Sequence, residues 1–494
     1  MFGYHADDFR RKSLRRAAAH ACDGPSRPRG RPREDEGGRT RKGRRCRRAR
    51  IHRLDEIQGT LHPWPRSLHW PRGPRRRGAE PIEHDHAPTQ HGIHERARRL
   101  CARDGRRANR GRCPDSEGCA AAHVVALAGT HRTLIPDRPR RKPSSDTRGV
   151  NIPPATSKPV LFFDPRFLDH VPSPLHVERP ERLRAITARL EAEGLFTEVR
   201  TAPAAAPEAL ERVHRRTYVE YFRDLGEGSL DPETAVHPET FGIACLAAGA
   251  AVQAARAAFA ASRPAVALVR PPGHHAGTDF GGGFCYLNNV AIAAADQRAQ
   301  GRRVAILDYD GHHGNGTSEI FAEDAAVLYV STHEYGIYPG TGAAEDVGRG
   351  DGRGFTVNVP FAAGCGDASF RLAMDEVIEP VLRAFAPDVI LVSLGVDAHY
   401  RDPLTSLTLS SPGYADLLAR SEDLAADLCR RRFAVVLEGG YHLQALSEVI
   451  ASMIGRMHGR RIELELTEVL DEAARGRAAV DAAKRALRPF WNLS

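Results

Sequence analysis

The chain has 494 residues, a length that accommodates one large domain or roughly two to three ordinary ones. Its formal net charge of +9 conceals a division: residues 1–150 carry 37 Lys and Arg against 17 Asp and Glu, whereas residues 151–494 carry 34 against 45. A uniformly basic protein is therefore excluded, and the nine cysteines, dispersed and without a C-x-x-C pair, do not resemble a disulfide framework.

Residues 1–155 read as an Arg/Pro/Gly-rich basic extension, with "RGRPRE", "RKGRRCRRAR" and "PRGPRRRGAE" and no sustained period of 2 or 3.6. The expectation is a disordered segment or a mis-assigned start upstream of Val150. A basic nucleic-acid arm is the functional alternative, since clustered arginines neutralise phosphates. "MFGYHADDFRRKSLRRAAAHAC" lacks the apolar stretch of a secretory signal, and "AAAHVVALAG" is too short to span a bilayer. A cytoplasmic protein with no membrane partner is expected.

From Pro159 the texture changes, and residues 156–494 read as one domain. "PVLFFD" is a strand, and "PERLRAITARLEAEG" is a helix with a Gly stop. A long helix follows in "ETFGIACLAAGAAVQAARAAFAAS", then the strand "AVALVR" and the helix "NNVAIAAADQRAQG". "RVAILDYD", "AVLYVST" and "FTVNVP" are strands, and "ASFRLAMDEVIEPVLRAFAP" is a helix. "DVILVSLGVD", the helix "YADLLARSEDLAADLCRRR" and "FAVVLEGG" complete the alternation. A last helical region after Gly455 docks back on the domain. Continuous Val/Ile/Leu strands that alternate with helices predict a parallel α/β sheet covered on both faces.

Such sheets bind ligands at the carboxyl ends of their strands. There the chain places His274 and His275 after "AVALVR", Asp308, Asp310, His312 and His313 after "VAIL", Asp397 and Asp402 after "DVILVSLG", and Tyr441 after "FAVVLEGG". In an extended segment residues two apart face one side, so Asp310 and His312 form a metal half-site, with Asp402 as the expected third ligand of a catalytic zinc. The paired histidines are placed to carry protons, with Asp308 and Asn315 as their orienting partners.

The ordered motifs "RPPGHHAG", "GFCYLNNVAIAA", "LDYDGHHGNGT", "YPGTG", "SLGVDAHYRDPL" and "LEGGYHL", opened by "SPLHVERPERLRAI", resemble the zinc-dependent histone deacetylase family. The likeness covers residues 159–455 and is nearest to the class II and bacterial amidohydrolase-like branch, which includes acetylpolyamine amidohydrolases and acetoin-utilisation proteins. It implies an arginase-deacetylase fold, a single α/β domain around an eight-stranded parallel sheet. It also implies one catalytic Zn²⁺ on Asp310, His312 and Asp402, with His274 and His275 as acid/base pair and Tyr441 as oxyanion donor. Gly283, Phe284 and Tyr338 would wall a narrow substrate channel, and Arg182 would lie near the acetate pocket. Asp308 and Ser331 match positions that hold a structural K⁺.

The implied reaction is hydrolysis of an N-acetyl or N-acyl amide on an acetyl-lysine-like or acetylpolyamine substrate, which releases acetate and a free amine. Partners beyond that substrate are a second copy of the chain or, through residues 1–150, nucleic acid. The readings set against it are a dinuclear manganese ureohydrolase and a non-catalytic deacetylase-like binding protein. Asn315 stands where class I members carry aspartate, and Tyr338 stands where phenylalanine is common.

Overall fold

The protein is described by a computed structural model covering residues 158–471 and 473–493. The basic extension read over residues 1–155 lies outside the described residues. The strands are β1 Val160–Phe162, β2 Val199–Arg200, β3 Gly228–Ser229, β4 Ala235–Val236, β5 Ala265–Ala267, β6 Val304–Asp308, β7 Val327–Glu334, β8 Thr356–Phe361, β9 Val389–Leu394 and β10 Phe433–Leu437. Eight of them form one sheet in the order β2-β1-β5-β10-β9-β6-β7-β8, with every neighbouring pair parallel. β3 and β4 make a separate antiparallel pair.

The pattern follows from burial. Every residue of β6, β9 and β10 is buried, so these strands run apolar instead of alternating, with Asp308 and Ser393 as polar exceptions near the carboxyl ends of β6 and β9. Helix Thr240–Ala261 is long and apolar enough to cross a bilayer, but it packs on β1, β5, β10 and helix Asn289–Arg298 as a core element. Its Ala- and Gly-rich surface lets backbones approach closely. Helix Ala473–Leu487 does dock back, against β8 and helix Asp367–Ala373, and the Trp491 Nε1–H donates to the Gly354 carbonyl at 2.7 Å.

The single helix expected over residues 368–387 is interrupted. Helix Asp367–Ala373 passes through a π turn, Met374–Ile378, into helix Glu379–Phe385. Pro380 at the start of the last piece has no N–H to give to the preceding turn, which accounts for the altered ladder.

The chain order creates the crevice. After β5 the chain crosses to β6, runs outward through β7 and β8, then returns to lay β9 and β10 between β6 and β5. The carboxyl ends of β5, β10, β9 and β6 are therefore neighbours at the switch in direction, where loops part and a ligand fits.

Candidate active site

Asp308 ends β6, paired in register with Ser393 of β9 and Ser331 of β7. Just beyond, Asp310, His312 and Asp397 converge so that one donor atom from each lies within 4.8 Å of the others. The His312 Nδ1 lies 2.9 Å from Asp397 Oδ2 and 3.2 Å from Asp310 Oδ1. Backbone amides hold both carboxylates: Gly439 N–H donates to Asp310 Oδ2 at 2.9 Å, and Gly311 N–H donates to Asp397 Oδ1 at 2.6 Å. A Cβ at Gly395 would run into the Asp310 carboxylate, so only glycine lets β9 leave the sheet this close to it.

The third acidic residue differs from the sequence expectation. Asp402 was expected beside Asp310 and His312, but the structure brings Asp397 there. Asp402 is engaged elsewhere: its Oδ2 accepts the N–H groups of Tyr441 (2.7 Å) and His442 (3.1 Å), and its Oδ1 accepts that of Leu404 (3.1 Å). Burial and the nearby Asp397 raise its pKa to about 7, against the pull of those amides.

Two buried carboxylates and one imidazole are a donor set suited to a divalent metal of zinc's type, which takes oxygen and nitrogen ligands together. The electrostatics agree. Burial opposes ionisation of Asp310, yet the His274 and His312 rings hold its pKa below the usual range. Asp397 is pushed up by burial and by the Asp310 charge. Burial opposes protonation of His312, but its hydrogen bonds to Asp310 and Asp397 raise its pKa well above normal. In the metal-free chain the His312 proton balances the two carboxylates, and a divalent cation bound here would take its place.

His274 and His275 lie side by side with ring centroids 4.0 Å apart. His274 Nδ1 donates to Asp308 Oδ2 at 3.1 Å and His275 Nδ1 donates to Asn315 Oδ1 at 2.8 Å, as the sequence led one to expect. Each Nε2 is thereby left to the cleft, with that of His274 3.7 Å from Asp310 Oδ1. Their surroundings separate the two rings. For His274 burial works against the charged form, but the Asp310 and Asp308 carboxylates outweigh it and raise the pKa to about 10. For His275 burial is reinforced by the His274 and His312 charges, and the pKa falls well below normal.

The residues expected to wall a channel lie near one another. Phe284 stands edge-on to Tyr441 (5.8 Å between centroids), and Tyr338 edge-on to His275 (5.0 Å). Gly283 lies between them at φ +56°, where a Cβ would come within 2.7 Å of both His275 and Tyr338. Asp231 Oδ2 accepts the Gly283 N–H at 2.8 Å and fixes this wall. Arg182 is fully buried, donates to the carbonyls of Gly440 and Glu438, and lies 5.0 Å from the Tyr441 ring centroid. Among the described residues no hydrogen bond ties the Tyr441 hydroxyl, which leaves it available to a ligand. Ser331 is beside Asp308, with its hydroxyl 2.8 Å from His333 Nδ1.

Three acidic residues have places in the site that the sequence does not assign. Asp397 stands on the rim in the sequence with no role assigned to it. Glu438, at the end of β10, accepts the N–H groups of Gly273 (2.6 Å) and His274 (3.2 Å) and the Ser393 hydroxyl (2.9 Å), which pins the histidine loop. Glu178 bridges two buried arginines. A carboxylate at the end of an otherwise apolar strand, as in "FAVVLE", is the signal that marks Glu438.

Comparison with known proteins fits this geometry. The chain is 42% identical over 309 residues to a probable deacetylase of Archaeoglobus fulgidus, a match spanning 60% of this chain and 86% of that protein. It is 38% identical over 312 residues to the histone deacetylase-like amidohydrolase of Pseudomonas aeruginosa, spanning 58% and 82%. The crystal structure of the HDA15 HD domain superposes with a TM-score of 0.61 at 36% identity, covering 67% of this chain and 96% of that one. Residues 176–457 match the histone deacetylase domain, and they contain the acidic cluster, the histidine pair and Tyr441. With more than half of its length in that domain, the chain belongs to the histone deacetylase family and is a hydrolytic deacetylase with an arginase-deacetylase fold.

Proposed function

We propose that the protein is a zinc-dependent amidohydrolase that removes the acetyl group from an acetyl-lysine-like or acetylpolyamine substrate. The observation that carries this reading is the convergence of Asp310, His312 and Asp397 with the His274–His275 pair at the ends of adjacent strands. Held by those three side chains, zinc supplies Lewis-acid polarisation of the amide carbonyl and acidifies water.

The chain's own groups do the rest. His275, kept neutral and with Nδ1 fixed on Asn315, presents Nε2 to take the proton from water. His274, whose Nδ1 donates to Asp308 Oδ2, would stabilise negative charge and protonate the departing amine. The Tyr441 hydroxyl donates to the developing oxyanion, a contribution of about 2.7–4 kcal/mol for donors of this kind. Phe284, Gly283 and Tyr338, beside Tyr441 and His275, would line the path of the aliphatic stem of the acylated amine.

A dinuclear site has no support among the described residues, where one three-donor cluster is found. K⁺ at Asp308 and Ser331 belongs to this proposal as a structural ion. So does a cytoplasmic setting, with which the four unpaired, buried cysteines among the described residues agree.

The test is acetate release from a fluorogenic acetyl-lysine peptide and from a monoacetylated polyamine, before and after chelation and with zinc restored. Release that chelation abolishes and zinc restores supports the reading, and the faster substrate names the class. A folded, zinc-replete protein inert on both substrates would overturn it.

A further inference from the structure

Glu178, Arg182 and Arg270 have side chains with no solvent exposure and lie behind the turn that carries Tyr441. The Glu178 Oε1 accepts from Arg182 Nη1 at 3.0 Å and from Arg270 Nε, and its Oε2 accepts from Arg270 Nη2 at 2.7 Å. Arg270 spends its other donors on the carbonyls of Phe167 and His170, both at 2.9 Å. Arg182 spends its own on Gly440 (Nε, 2.7 Å) and Glu438 (Nη2, 2.5 Å), the carbonyls one and three residues before Tyr441.

An ion triad of this kind carries a desolvation penalty that apolar side chains of the same volume avoid. What it supplies instead is direction, because a guanidinium donates in a fixed planar fork. Arg182 alone is a long side chain with rotatable bonds. Clamped by Glu178, its plane is set, and with it the positions of Gly440 and Tyr441.

We propose that Glu178 is a positioning residue for the reaction: it anchors the segment around Phe167 and His170 to the Tyr441 turn through Arg270 and Arg182. The inference rests on Tyr441 serving as oxyanion donor, the reading given above.

The test is a double-mutant cycle of Glu178→Gln with Tyr441→Phe in the full chain. It is assayed for kcat and KM well below the measured Tm of each variant, with hydrogen exchange followed over residues 438–442. The expected result for Glu178→Gln is a kcat loss of about 10- to 100-fold with KM changed less than about twofold, and faster exchange in the Tyr441 turn. In the Tyr441→Phe background the same substitution should remove less than about twofold more, because the hydroxyl it positions is gone.

Arg270→Lys, which keeps the charge but loses the fork, should show the same coupling in a milder form. Independent, multiplicative losses, or a lowered Tm with kcat and exchange at the parental level, would overturn the inference while leaving the Tyr441 role intact. A Tyr441→Phe variant at parental kcat would overturn both.

Discussion

Asp397 and Asp402 follow the same strand five residues apart, and substituting each with Asn separates a metal-binding role from a structural one. In Asp402→Asn the amide NH₂ replaces an oxygen that takes two backbone N–H groups, or the oxygen that takes the third. Hydrogen bonds to an ionised group contribute about 1.5–3 kcal/mol each. Because the Asp402 pKa is raised to about 7, the carboxylate is only partly charged at neutrality, and a net loss of about 2–4 kcal/mol is expected. For a domain of this size that lowers Tm by roughly 4–10 °C.

Its metal content should hold, since none of those bonds reaches the cluster. Asp397→Asn should do the reverse. Replacing a cluster carboxylate should weaken metal binding by more than the roughly 10- to 100-fold typical of an outer partner. The cluster itself would lose one of its two negative charges. Elemental analysis after dialysis against a weak chelator, beside thermal melts of each apo protein, reads both effects. Asp402→Asn purified without metal, together with a metal-replete Asp397→Asn, would refute the assignment.

Gly283→Ala places a methyl group within 2.7 Å of His275 and Tyr338 in a left-handed backbone, so kcat/KM should fall about 10- to 100-fold with metal content unchanged. Steady-state kinetics check this, and parental kinetics would show that the channel does not pass there. Glu178 titrates at about 2 in the folded chain rather than at 4.5, held down by two arginines against the effect of burial. Its contribution, on the order of 3 kcal/mol, is complete above pH 4.5 and is lost as pH falls toward 2. Urea titrations at pH 6 and pH 4 on the parent and Glu178→Gln should therefore converge toward acid; a gap that widens would contradict the argument.

The sheet was legible because burial on both faces imposes unbroken apolar runs, as in "RVAILD" and "FAVVLE". The strand β2 and the β3–β4 pair were not, since two residues are too few to show a period. His274, His275, Asp308, Asp310, His312 and Asn315 could be read because each follows a strand end at short range and pairs with another such group. The choice between Asp397 and Asp402 could not. It depends on which carboxylate the amides of Tyr441 and His442 claim, a contact between residues 39 and 40 positions apart that no local pattern encodes. The same holds for Glu178, whose partner Arg270 is 92 residues away.

In the proposed enzyme Asp310, His312 and Asp397 hold the metal on which deacetylation depends. Anomalous diffraction at the zinc edge from crystals of the zinc-loaded protein tests it most directly. One peak bounded by the two carboxylates and His312 Nδ1 is expected. A peak at Asp402, or none in crystals of an enzyme that still releases acetate, would contradict it.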